Sequence, residues 1–252
     1  MNITDAYAHC GISKYEPIEQ VRAVMCAAGV DSAVLAQHLG EFDNSYIGSV
    51  VEGDPDHFAG IGLIDPDSDN AEQSLQQLAE SNLFSGARWL MQVVDTAPYL
   101  LDACADLGLG MIFYAPQGTV PFIDGLSRVL DKRLDARVML SHLGNPTSVE
   151  PDYLQSHRRI FELSRYGNVY LQLSGMGMFC PHPHEPLHDF VADAVEAFGT
   201  KRVVWGSNYP VCGTQDDYIK DLRLLLNGQL PIASDAIPDI AGANARRFWF
   251  DR

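Results

Sequence analysis

The sequence predicts a single α/β domain of the (β/α)8 TIM-barrel class, and three observations carry that expectation. Short runs rich in Val, Ile and Leu recur along the chain, each followed by a stretch with helical spacing, which implies parallel strands joined by crossover helices. Eight such units can be counted, and 252 residues suit one barrel of about 250. No GxGxxG or Walker loop follows any strand, so an open doubly wound sheet is the weaker architecture.

The first strand, 3–9, contains Asp5-Ala6-Tyr7-Ala8-His9; strict alternation sends Asp5, Tyr7 and His9 inward together, with His9 at the rim and Asp5 deepest. Strand two, 32–37, runs into Gln37 and His38, and strand three covers 58–64. Strand four, 86–91, carries Arg88, and strand five, 111–115, places Tyr114 at its end. Strand six, 138–142, ends in Ser141 and His142; strand seven, 169–174, bears Gln172 and Ser174; strand eight, 203–207, leads into Ser207 and Asn208. Helices are expected over 17–28, 71–83, 97–106, 120–132, 153–166, 186–198, 218–226 and 237–248. The active site of such a barrel lies at the carboxyl ends of the strands, so these polar tips form one candidate ring. Any one of them alone would be an ordinary structural residue.

Composition narrows the function classes. Hydrophobic residues make up 46% and charged residues 20%, as in soluble globular proteins. Acidic residues outnumber basic ones, 33 to 17, and the net charge of −16 repels phosphate backbones, which argues against nucleic acid as a partner. A few local Arg and His can still hold a small carboxylate. The five cysteines, Cys10, Cys26, Cys104, Cys180 and Cys212, form no CxxC pair and imply a reducing, cytoplasmic setting. No signal peptide or membrane span is expected, since every long apolar stretch is broken well before 18 residues. A homodimer is the base-rate assembly.

Several stretches together resemble the amidohydrolase-related branch of the amidohydrolase superfamily. They are Asp5-Ala6-Tyr7-Ala8-His9, residues 60–66, Gly86-Ala87-Arg88, Ser141-His142-Leu143-Gly144-Asn145-Pro146, Leu173-Ser174-Gly175, Trp205-Gly206-Ser207-Asn208-Tyr209-Pro210 and Asn244-Ala245-Arg246-Arg247-Phe248. That branch includes lactonases, sugar-acid isomerases and decarboxylases, so the resemblance implies a barrel enzyme acting on a small carboxylated lactone or a ring-cleavage acid. The departures matter equally. Where members open with His-x-His this chain has Tyr7; the strand-five His looks replaced by Tyr114; the strand-eight Asp is Asn208.

Zinc needs about three protein ligands, and of the usual positions His9 and His142 remain. The expectation is therefore an enzyme without a metal cofactor, zinc being the alternative. His9 and His142 become the acid/base candidates, with Asp5 in reserve, and Asn208 completes the catalytic set as a hydrogen-bonding group. Arg88 is expected to anchor a substrate carboxylate, with Tyr7, Tyr114, Gln37, His38 and Ser174 as binding residues. A decarboxylase or lyase, and a catalytically drifted barrel that binds a ligand, are the rival functions. The segment Cys180-Pro181-His182-Pro183-His184 with His188 reads as a Pro-stiffened loop rather than a metal site, although His182 or His184 is close enough in sequence to serve as a lid.

Overall fold

The computed structural model describes residues 1–251 and is a barrel of eight parallel strands in the order β1 to β8. These are β1 (Thr4–Ala8), β2 (Ser32–Ala36), β3 (Phe58–Leu63), β4 (Phe84–Leu90), β5 (Gly110–Tyr114), β6 (Val138–Leu140), β7 (Val169–Leu173) and β8 (Val203–Trp205). All eight expected strands are present. Strands β6 and β8 stop early, so Ser141, His142, Ser207 and Asn208 belong to the loops above them.

Helices α1 (Ile18–Ala28), α2 (Ser45–Gly53), α3 (Ala71–Glu80), α4 (Val93–Thr96), α5 (Pro98–Asp106), α6 (Ile123–Lys132), α7 (Pro151–His157), α8 (His188–Phe198), α9 (Gln215–Leu226) and α10 (Asn244–Trp249) surround it. Helix α2 lies outside the stretches expected to be helical. The expected helix over 153–166 is α7 continued by a 3-10 segment, Arg158–Arg165, and the last one opens as a π-helical turn, Asp239–Ala243. None of these helices is long and apolar enough to cross a membrane.

Apolar residues form two packed regions. One fills the space between strands and helices, and the other fills the barrel with Ala6, Tyr7, Val34, Ile61, Ile112, Met139 and Val204. Phe248 and Trp249 of α10 close the barrel floor. Gly86 and Gly110 make this plug fit, because a Cβ at either would lie 2.7 or 2.8 Å from the Trp249 ring. Asn244 holds α10 in place by donating to the carbonyls of Thr200 and Val203, both at 2.7 Å.

The seam between β8 and β1 departs from a regular ladder. On the other edge of β1, its register against β2 shifts between Asp5 and Ala8, a bulge that turns Ala6 and Tyr7 both inward while Ala8 packs outside. The alternation expected for Asp5, Tyr7 and His9 is therefore corrected: the extra residue leaves Tyr7 and His9 facing the interior and sends Asp5 to the outer side. There Asp5 accepts hydrogen bonds from the Ser207 amide at 2.8 Å, the Ser207 hydroxyl at 2.6 Å and the Tyr7 amide at 3.1 Å. The Asn208 amide donates to the Tyr7 carbonyl and the His9 amide to the Tyr209 carbonyl, both at 2.8 Å, which completes the closure. Asp5 is a clamp across the seam.

Burial raises the Asp5 carboxyl from 3.8 to about 6, against the Ser207 and Tyr7 hydrogen bonds that lower it. Between those values the folded protein binds more protons than the unfolded chain, so stability from this group is full at low pH and is lost as pH rises to about 6. The stability difference between the native protein and Asp5→Asn should therefore shrink over that window and stay flat at higher pH. Urea unfolding of both proteins across the range checks it, and a pH-independent difference contradicts the assignment.

Candidate active site

The strand tips bring Tyr7, His9, Arg88, Tyr114 and His142 into one cluster inside the barrel mouth. Tyr7 is its centre: its ring meets His9 edge-on at 4.9 Å and His142 at 5.0 Å, and the Arg88 guanidinium lies 5.6 Å from its centroid. The same guanidinium lies 5.6 Å from the Tyr114 ring, which meets His142 at 6.0 Å. Tyr114 is half-buried, whereas His9 and His142 are 1% and 2% exposed.

Each imidazole is oriented by a hydrogen bond that fixes its tautomer. His9 Nδ1 faces the Ala36 carbonyl at 2.6 Å, an oxygen that can only accept, so Nδ1 carries the proton and Nε2 is left with a lone pair. His142 is set by a relay. The Gln172 amide donates to the Ala6 carbonyl at 3.0 Å, which turns its oxygen toward the Ser174 hydroxyl at 3.2 Å. Ser174 donates to that oxygen and so accepts from His142 Nδ1 at 2.8 Å. Both rings therefore keep Nε2 unprotonated. Burial first, then the positive Arg88, pushes His9 down to about 3 and His142 well below its ordinary value. Burial thus holds both acid/base candidates neutral in the unliganded site.

Arg88 is 5% exposed and makes no ion pair among the described residues. Its Nη1 donates to the Gln37 carbonyl at 2.7 Å, while Nε has no partner. The Tyr7 hydroxyl is also buried without a partner, and burial raises its pKa to about 12, so it stays a neutral donor. Two unsatisfied donors thus sit in the same small space.

The other expected residues take different places. Gln37 commits its side chain to its own loop, donating to the Asp43 carbonyl at 2.7 Å and accepting from the His38 amide at 2.9 Å. His38 lies beneath Tyr15, 5.5 Å away and edge-on. The Asn208 amide group points to Met178 Sδ at 3.4 Å and Cys212 Sγ at 3.5 Å, and the side chain also lies beside His9, raising its pKa. His184 is buried and turned away from the mouth, bonded to Asp221 of α9 at 3.0 Å and to the Cys180 carbonyl at 2.9 Å. Burial pushes the Cys10 and Cys212 thiols up to about 12 and about 11, which leaves neither as a nucleophile.

Two contacts escaped the sequence analysis. Tyr15 stacks on His9 with centroids 4.9 Å apart, and Met178 packs near His142 across Gly175, where a Cβ would lie 2.7 Å from both side chains. Both come from loops without periodicity, and their position just beyond strands one and seven was the one available signal.

A family model described as amidohydrolase matches residues 3–250. The chain belongs to the amidohydrolase family. It is 23% identical over 204 residues to an L-fucono-1,5-lactonase of Burkholderia ambifaria, covering 77% of this chain and 69% of that protein. An amidohydrolase from Burkholderia multivorans solved with zinc bound superposes with a TM-score of 0.81 at 16% identity, covering 98% of each chain. A Pseudomonas putida protein assigned as a 2-pyrone-4,6-dicarboxylic acid hydrolase gives 0.78 at 19% identity, over 98% of this chain and 97% of that one.

The donor set in this member of the family does not match zinc. Among the described residues no group of three or more His, Cys, Asp or Glu is placed to hold an ion. The cluster offers two imidazoles beside a guanidinium, whose charge opposes a dication.

The tautomers are directly testable. Long-range 1H–15N spectra should show His9 and His142 as neutral Nδ1–H imidazoles from pH 5 to pH 8. An imidazolium signal for either buried ring within that range contradicts the assignment.

Proposed function

We propose that the protein is a lactonase that needs no metal and hydrolyses a small lactone or related cyclic ester bearing a carboxylate. The observation that carries this reading is the buried Arg88, which has no ion-pair partner among the described residues and an unpaired Nε, with its guanidinium 5.6 Å from the ring of Tyr7, whose hydroxyl is also unpaired. Burying a charge without a partner costs several kcal/mol, which a purely structural arginine would recover through a carboxylate of the protein. A substrate carboxylate supplies that partner in a forked bond.

With the anion on Arg88, the lactone carbonyl accepts a hydrogen bond from Tyr7, whose phenol is held neutral. Water adds to the carbonyl carbon as its proton passes to Nε2 of His9 or His142. The ring C–O bond then breaks, and the imidazolium returns the proton to the leaving oxygen, giving a hydroxy acid. Substrate binding also strengthens the base. Arg88 is the second cause, after burial, of both low histidine values, and an anion on the guanidinium cancels that field. Asn208 accepts from protonated His9 and so favours the intermediate charge state. Tyr114 flanks the guanidinium, and His38 meets the Tyr15 ring that stacks on His9.

Arg88→Met should lower kcat/KM on the hydrolysed substrate about 100-fold, the worth of a charged hydrogen-bonded anchor. Its Tm should not fall, because the substitution removes an unpaired buried charge. A pH-stat screen of carboxylated lactones, with thermal unfolding of both proteins, checks the pair of outcomes. Unchanged turnover in the variant refutes the anchor. Repeating the reaction in 18O-labelled water identifies the chemistry: hydrolysis places solvent oxygen in the new carboxylate, whereas release of CO2 without it identifies a decarboxylase.

A further inference from the structure

A cavity of about 340 Å3 opens at the carboxyl ends of β3 and β4, and Arg88 forms part of its lining. Its apolar walls are Leu39 and Phe42 from the loop after β2, Leu63 and Ile64 from the end of β3, and Leu90 and Val93 from the end of β4. Asp65, Asp67, Gln92 and Thr96 also line it, with Asp65 accepting from the Asp67 amide at 3.1 Å. A second opening, about 190 Å3, lies beside Gln37 and His38 and is lined by Glu41 and Asp43, but Arg88 is not part of its lining.

We propose that the cavity beside Arg88 is the specificity pocket, and that it takes the apolar body of a monocarboxylate whose carboxylate reaches the guanidinium. The inference rests on the reading of Arg88 as a carboxylate anchor and adds the chemistry of the rest of the substrate. The volume is at the small end for ligand pockets, which are about 300–1,000 Å3, and suits an acid with one alicyclic or aromatic ring. The hydroxyls of a polyol would find partners only at Asp65, Asp67, Gln92 and Thr96 and would lose water against the apolar walls. A second carboxylate would meet Asp65 and Asp67. This separates the site from one built for a sugar lactone or a dicarboxylate.

Phe42 is 47% exposed, so Phe42→Asp alters the wall with little risk to folding. Isothermal titration calorimetry of the intact chain with cyclohexanecarboxylate, gluconate and cyclohexane-1,3-dicarboxylate tests the proposal. Cyclohexanecarboxylate should bind about tenfold tighter than either of the others, and Phe42→Asp should erase that advantage. Arg88→Met should abolish binding of all three. Gluconate or the dicarboxylate binding as tightly as cyclohexanecarboxylate, with dependence on Arg88 retained, overturns the pocket and leaves the anchor standing. No binding of any probe, or binding indifferent to Arg88→Met, overturns the anchor and the pocket with it.

Discussion

The barrel depends on how β8 is joined to β1. Seven strand pairs are parallel ladders, with register shifts in β1–β2 and β3–β4, but the eighth contact is a single bridge between Ala8 and Tyr209, supplemented by the hydrogen bonds that Asp5 collects from Ser207 and Tyr7. One carboxylate outside the barrel thus organises three donors that would otherwise be buried without partners. The bulge that places Asp5 outside also turns Tyr7 inward, and Tyr7 is the ring around which His9, His142 and Arg88 are arranged. Closure and site geometry are consequences of one local irregularity.

The second organising feature is a charge left without its opposite. Arg88 lowers the proton affinity of both neighbouring histidines and leaves the interior short of an anion. In the proposed reaction an anionic ligand would relieve that cost while raising the basicity of the two imidazoles. Affinity and reactivity would then be linked through the same guanidinium. A neutral analogue would gain neither advantage, so the proposal carries discrimination in favour of acids despite the net charge of −16 on the whole chain.

Most of the architecture was legible because parallel strands buried on both faces read as apolar runs, and eight of them recur. The polar tips were legible because barrel chemistry has a fixed address at the strand ends. Asp5 was misread for a physical reason: one inserted residue reverses the facing of the residues beyond it, and no periodicity announces a bulge. Gln37 has the right position, yet Asp43 and the His38 amide claim its side chain through contacts within its own loop. The neutrality of His9 and His142 was hidden because depth of burial belongs to the packed structure. Tyr15 and Phe42 lie in loops, where chain position carries little information about contacts.

The backbone around the cluster explains why those loops matter. Tyr15, His142, Leu143 and Asn208 all adopt positive φ, between 50° and 71°, where side chains with a Cβ are disfavoured by about 1–2 kcal/mol. Such conformations persist only when their surroundings over-determine them. The Asn145 carboxamide oxygen does so near His142, accepting from the Ala115 amide at 3.1 Å, and His157 donates to the Leu143 carbonyl at 3.0 Å. At Asn208 the amide bond to Tyr7 closes the seam itself. The strain aims His142 at Tyr7 and carries Asn208 beside His9, positions that a strand continuing regularly would not reach. Its restraint comes from the same hydrogen bonds that hold the barrel together, so the positions of His142 and Asn208 depend on the scaffold at the ends of β6 and β8.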